Sequence, residues 1–169
     1  MNKYSKRIIW LHWVSAILII GMAVTGIMME SETNLSFKLR YYQIHFLMGL
    51  AVFILTIFRV VAFLKDKRPS ELYPNKSRQK LIHLVHQGFY WVILWMCISG
   101  FISIFIENVW QPAIYNSVAM MPNLSEGLSA IMLSHHIVAK LVFLLFILHI
   151  IGVFSHIFQK KENVLKRIL

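Results

Sequence analysis

Acidic residues are scarce in this chain of 169 residues: seven Asp and Glu stand against seventeen Lys and Arg, for a formal net charge of +10. None of the seven lies inside the four longest apolar runs, so no carboxylate is available there to compensate a cation crossing a membrane. Cysteine occurs once, as Cys97 within the third run, which excludes an intrachain disulfide and the C-x-x-C-H attachment of a covalently bound haem. A lone thiol in that setting reads as a small packing group. The four prolines (Pro69, Pro74, Pro112 and Pro122) all fall between the runs, where a residue without an amide hydrogen interrupts no helix. Charged residues make up 14% of the chain, where a soluble domain carries about 25%.

What is abundant is apolar sequence. Hydrophobic residues make up 58% and the mean hydropathy is +0.65, so the chain reads as an integral membrane protein. Four stretches reach the roughly 20 residues needed to span a bilayer: Ile8 to Met29, Tyr42 to Leu64, Leu81 to Ile106 and Ala130 to Phe158. They leave no room for a second domain and no internal repeat stands out, so residues 1–169 are expected to form one all-α unit, a four-helix bundle. The first stretch follows Lys3, Lys6 and Arg7 as a signal peptide would, but it is too long and lacks a small-residue cleavage site; we expect a retained helix.

The charge has a topological reading. Three basic residues precede the first stretch, six lie in the 65–80 connection (Lys65, Lys67, Arg68, Lys76, Arg78, Lys80) and four in the tail (Lys160, Lys161, Lys166, Arg167), all on one side of a four-span chain. The other two connections hold Lys38 and Arg40 against Glu30, Glu32, Glu107 and Glu126. The bias places both termini in the cytoplasm and makes nucleic acid an unnecessary partner. The 107–129 connection carries Trp110, Tyr115, Met120 and Met121 without a lysine or arginine, and is expected to lie on the membrane surface.

Histidines carry the functional signal, because imidazole in hydrocarbon is costly. His135 and His149 are fourteen residues apart, which on one helix is roughly 40° in azimuth and about 21 Å in height. His12 enters early on the first helix and His45 early on the second. Alternating helix direction therefore pairs His12 with His149 in the inner half of the bilayer and His45 with His135 in the outer half. Each pair can clamp one flat ligand, since haem iron accepts two axial imidazoles and bundle interiors hold such cofactors. The neighbouring His136 is thirteen residues from His149, roughly 140° away, and so shares that face less well.

His83 and His86 share one face at the inner end of the third helix, with three readings open: iron ligand, contact to a propionate or quinone, or structural group. Lys140 and Arg59 are candidate partners for a propionate or a quinone headgroup, or cations that snorkel. His156 reads as a surface histidine near headgroups.

In order along the chain, LHW with His12, H-x3-G with His45 and Gly49 and Arg59 downstream, H-x2-H with His83 and His86, and H-x13-H with His135 and His149 resemble the bacterial cytochrome b561 family over nearly the whole length. The resemblance implies a multi-pass protein of the bacterial inner membrane. It implies two non-covalent b haems ligated through His12, His45, His135 and His149, exchanging electrons with ubiquinone. It places His83 and His86 near the inner haem without ligating it. Superoxide oxidation at the outer face is a role known in that family, yet the outer connections hold two basic residues against four carboxylates, which gives no evident focusing field for an anion unless Lys140 or its neighbours are exposed. Haem subunits of hydrogenases and formate dehydrogenases are similar, so a subunit of a larger respiratory dehydrogenase is the alternative. Inward histidines could also line a metal-ion transporter, against which the missing intramembrane carboxylates count; a cofactor-free assembly subunit is a third reading.

Overall fold

A computed structural model describes residues 3–66, 76–122, 129–160 and 164–169. Among them the chain is helical and contains no strand: α1 (Lys6–Ser31), α2 (Leu35–Lys65), α3 (Lys76–Ile106), a short α4 (Trp110–Tyr115), a 3-10 turn (Val118–Met120), α5 (Ala130–Lys160) and a final 3-10 turn (Val164–Arg167). Lys67, Arg68, Pro69 and Pro74 of the basic connection, Glu126 and Gly127 of the other long connection, and Lys161 lie outside the described residues.

Four of the helices are long and apolar enough to cross a membrane. They extend past the apolar stretches that reveal them, most of all α2, which begins seven residues before Tyr42. The reason is local capping. Asn34 accepts from the amides of Ser36 and Phe37 at 3.0 and 3.3 Å, so the polar turn that follows is helical without being apolar.

α1 packs along α2 and α3 along α5, giving two helical hairpins joined mainly through α2 and α3. Packing is inverted relative to a soluble protein. Trp91 is 73% and Phe158 77% exposed, whereas Ser15, Ser99 and Ser103 are at most 1% exposed. Small hydroxyl residues line the helix contacts, as expected where lipid is as apolar as leucine and close backbone approach drives association. Ser15 and Thr56 satisfy their hydroxyls on their own helices, Ser15 donating to the Leu11 carbonyl at 2.6 Å and Thr56 to that of Val52 at 2.7 Å, whereas the buried Ser103 hydroxyl has no hydrogen-bond partner among the described residues.

Both chain ends meet at one end of the bundle, here called the terminus end. Ser5 caps α1 by accepting from the Ile8 amide at 3.3 Å and donates to the Asp66 carboxylate at 2.5 Å, while Arg7 pairs with the other Asp66 oxygen. This clasp ties the start of α1 to the end of α2. Ser5 and Arg7 together hold the Asp66 carboxyl below the ordinary carboxylate range. The last turn folds back on α1: the Tyr4 amide donates to the Arg167 carbonyl at 3.1 Å and the Trp13 indole to that of Ile168 at 2.8 Å.

At the far end α3 stops where Asn108 turns into the left-handed region (φ 54°), a conformation asparagine tolerates. The chain then enters α4, which is fastened to α2 by the Gln43 amide donating to the Ala113 carbonyl at 2.9 Å. Tyr115 and Met120 of this connection are exposed.

Candidate functional site

Two histidine pairs face each other across the bundle. At the terminus end the rings of His12 on α1 and His149 on α5 have centroids 6.3 Å apart; at the far end those of His45 on α2 and His135 on α5 are 6.5 Å apart. The fourteen residues from His135 to His149 set the two levels about 21 Å apart along α5. The ring opposite His45 is that of His135, not of its neighbour His136.

The far-end pair is held by hydroxyls. Thr25 Oγ1 lies 3.0 Å from His45 Nδ1, and Ser99 Oγ lies 2.9 Å from His135 Nδ1. Beside each hydroxyl is a glycine over which the ring lies: a Cβ on Gly26 would sit 3.6 Å from His45 Cε1, and one on Gly100 only 3.1 Å from His135 Cε1. Each imidazole thus rests against a hydroxyl-glycine dipeptide on the preceding membrane-spanning helix, α1 for His45 and α3 for His135.

The terminus-end pair sits in a more crowded setting. His149 is also ringed by His86, with centroids 5.4 Å apart, and Phe89 at 5.8 Å; His12 meets Trp13 edge-on at 5.5 Å. His86 donates from Nδ1 to the Ile82 carbonyl at 2.7 Å and His83 is bonded to the Gln79 amide at 3.1 Å, both side chains being exposed. Arg59 lies over the Tyr90 ring at 5.6 Å, close enough for its charge to act on His12, His86 and His149.

Three sequence expectations change. Lys140 is exposed and, five residues past His135, is turned roughly 140° from the histidine stripe, so it does not face either pair. His156 is not a surface residue but 3% exposed. A repeat is present after all. His12 precedes Thr25-Gly26 by the same thirteen residues that separate His86 from Ser99-Gly100, and the fourteen from His45 to Arg59 equal those from His135 to His149. The roles of Thr25 and Ser99 were missed, and this spacing was the signal that pointed to them.

Among the described residues no three or more His, Cys, Asp or Glu form a group able to hold a metal ion. The donors come as opposed pairs. Two imidazoles bound to one metal from opposite sides, each nitrogen about 2 Å away, have ring centres roughly 6 Å apart, which is the spacing of both pairs. The donor set therefore fits the axial positions of haem iron.

Over residues 3–169 the sequence matches the family model of the prokaryotic cytochrome b561. The chain belongs to that family. As a cytochrome b561 it is a bacterial membrane protein that binds haem b and transfers electrons within the membrane. The bound group is non-covalent, since Cys97 is the only cysteine and sits half-buried in α3.

Proposed function

We propose that this cytochrome holds two b haems, one between His12 and His149 and one between His45 and His135, and connects an outer one-electron donor or acceptor with the ubiquinone pool of the bacterial inner membrane. The observation that carries the reading is the pair of imidazole couples, 6.3 and 6.5 Å across, at two heights of one membrane-spanning helix. Bound there, haem supplies a one-electron ferric/ferrous couple without an open coordination site, suited to electron transfer rather than oxygen activation.

The protein's share is positioning and field. The four histidines donate nitrogen from facing helices, and the surrounding apolar side chains keep water and its reorganisation away. Arg59 and His86, beside the inner couple, are placed to receive a propionate or the oxygen of a quinone, with His83 one turn nearer the end of the helix. The positive-inside bias assigns the terminus end to the cytoplasm.

At the outer end Lys38 and Arg40, with the exposed Lys140 on α5, stand against three carboxylates, Glu30, Glu32 and Glu107, and Lys38 is already bonded to the Glu32 carbonyl at 3.3 Å. That balance favours a donor that needs no electrostatic gathering over superoxide. The test is haem extraction with redox difference spectra on purified wild type and on His12→Ala, His45→Ala, His135→Ala and His149→Ala. Two haems per wild-type chain, and one lost in each variant, are expected. A preparation without haem, or variants that keep both, would overturn the reading.

A further inference from the structure

The hydroxyl-glycine dipeptides do more than make room. Thr25 lies 3.0 Å from the Gly21 carbonyl and Ser99 lies 2.7 Å from that of Trp95, each four residues back on its own helix. A hydroxyl has one hydrogen. Given to the carbonyl, it leaves a lone pair toward the imidazole, so the imidazole must donate its Nδ1–H. The same hydroxyls also lie 3.1 Å from the Met22 carbonyl and 3.3 Å from that of Met96, so each has two acceptors on its own helix for its one hydrogen. His45 and His135 are thereby held as the tautomer whose free lone pair is on Nε2. Nothing comparable acts at the other level: among the described residues neither His12 nor His149 has a hydrogen-bond partner.

We propose that Thr25 and Ser99 are positioning residues for the far-end haem: they fix His45 and His135 as Nε2 donors and, by accepting Nδ1–H, strengthen both as ligands to ferric iron. The proposal rests on ligation by those two histidines. A ligand imidazole that donates its other N–H is more basic, and loss of such a partner commonly costs tenfold or more in affinity or activity. The internal repeat supports an equal part for both hydroxyls, because each occupies the same place in its hairpin.

The experiment is a spectroelectrochemical titration of the full-length, haem-loaded protein in detergent, with a parallel haem count. The variants are Thr25→Val, Ser99→Ala, their double, and Thr25→Ser as the hydroxyl-retaining control. Each loss of hydroxyl should move one of the two midpoint potentials to a more positive value, the double further than either, with the second midpoint unmoved and Thr25→Ser at the wild-type value. Roughly tenfold easier loss of that one haem is expected alongside. Ser99→Ala, which adds no volume, keeps the test open if Thr25→Val does not fold. Two unmoved midpoints in a double variant that retains both haems would overturn the proposal while leaving ligation intact. Retention of both haems by His45→Ala and His135→Ala would instead remove the ligation it rests on.

Discussion

The two glycines under the far-end rings make a matched pair, and substituting each by alanine separates contact geometry from helix propensity. Both are interior to helices, where alanine is favoured over glycine by roughly 0.5–1 kcal/mol. At Gly26 the new methyl would lie 3.6 Å from His45 Cε1 and 3.9 Å from Nδ1, ordinary contact distances, so Gly26→Ala should keep most of that gain. At Gly100 it would lie 3.1 Å from His135 Cε1 and 3.5 Å from Nδ1, and the ring must retreat by a few tenths of an ångström. The ring has little freedom to do so, because Ser99 holds it at 2.9 Å. Overpacking of this kind costs about 1–3 kcal/mol, which outweighs the propensity gain. The two variants should therefore differ by roughly 2 kcal/mol, or about 4–8 °C in Tm for a chain of this size. Thermal unfolding in detergent, followed by helical circular dichroism and by the haem absorbance, reads both stability and cofactor retention. Gly100→Ala should unfold earlier and release haem first. Equal Tm values, or a less stable Gly26→Ala, would refute the contact argument.

Other outcomes follow from the same geometry. His136→Ala should retain both haems while His135→Ala loses one, checked by haem count per chain, because it is the His135 ring that faces His45. Removing the cation in Arg59→Leu should lower the midpoint potential of the terminus-end haem and leave the other unmoved, since a nearby positive charge favours the reduced form. The Ser5-Asp66-Arg7 clasp holds the Asp66 carboxyl below its ordinary 3.8, so its contribution is complete above that value and is lost as pH falls through the lower folded value. Protection of the amides at the start of α1, taken as the exchange rate relative to the intrinsic rate at each pH, should fall on acidification below about pH 4 in the wild type and be low already at neutral pH in Asp66→Ala. If superoxide reacts at the outer end at all, its rate should be nearly insensitive to ionic strength; a rate that falls steeply with salt would expose a focusing field that the described charges do not produce.

Much of this protein could be read in one dimension because a bilayer imposes one-dimensional rules. Apolar runs of spanning length had to be helices, since no other open structure satisfies its backbone in hydrocarbon, and the clustering of cations at alternate connections carries the orientation that we propose. The fourteen-residue interval between His135 and His149 set two rings on one face at two heights from helical geometry alone. Azimuth within a helix says nothing, however, about which neighbour it meets. Only the packing of α1 on α2 and α3 on α5 showed that Thr25 reaches His45 and Ser99 reaches His135, contacts between residues 20 and 36 positions apart that no local pattern encodes. The same packing turned Lys140 outward, buried His156 and crowded His86 against His149. The sequence determined which residues lie at which depth, because depth is counted along a helix; the tertiary structure decided which of them touch, because contact depends on how each helix is rotated against its neighbours.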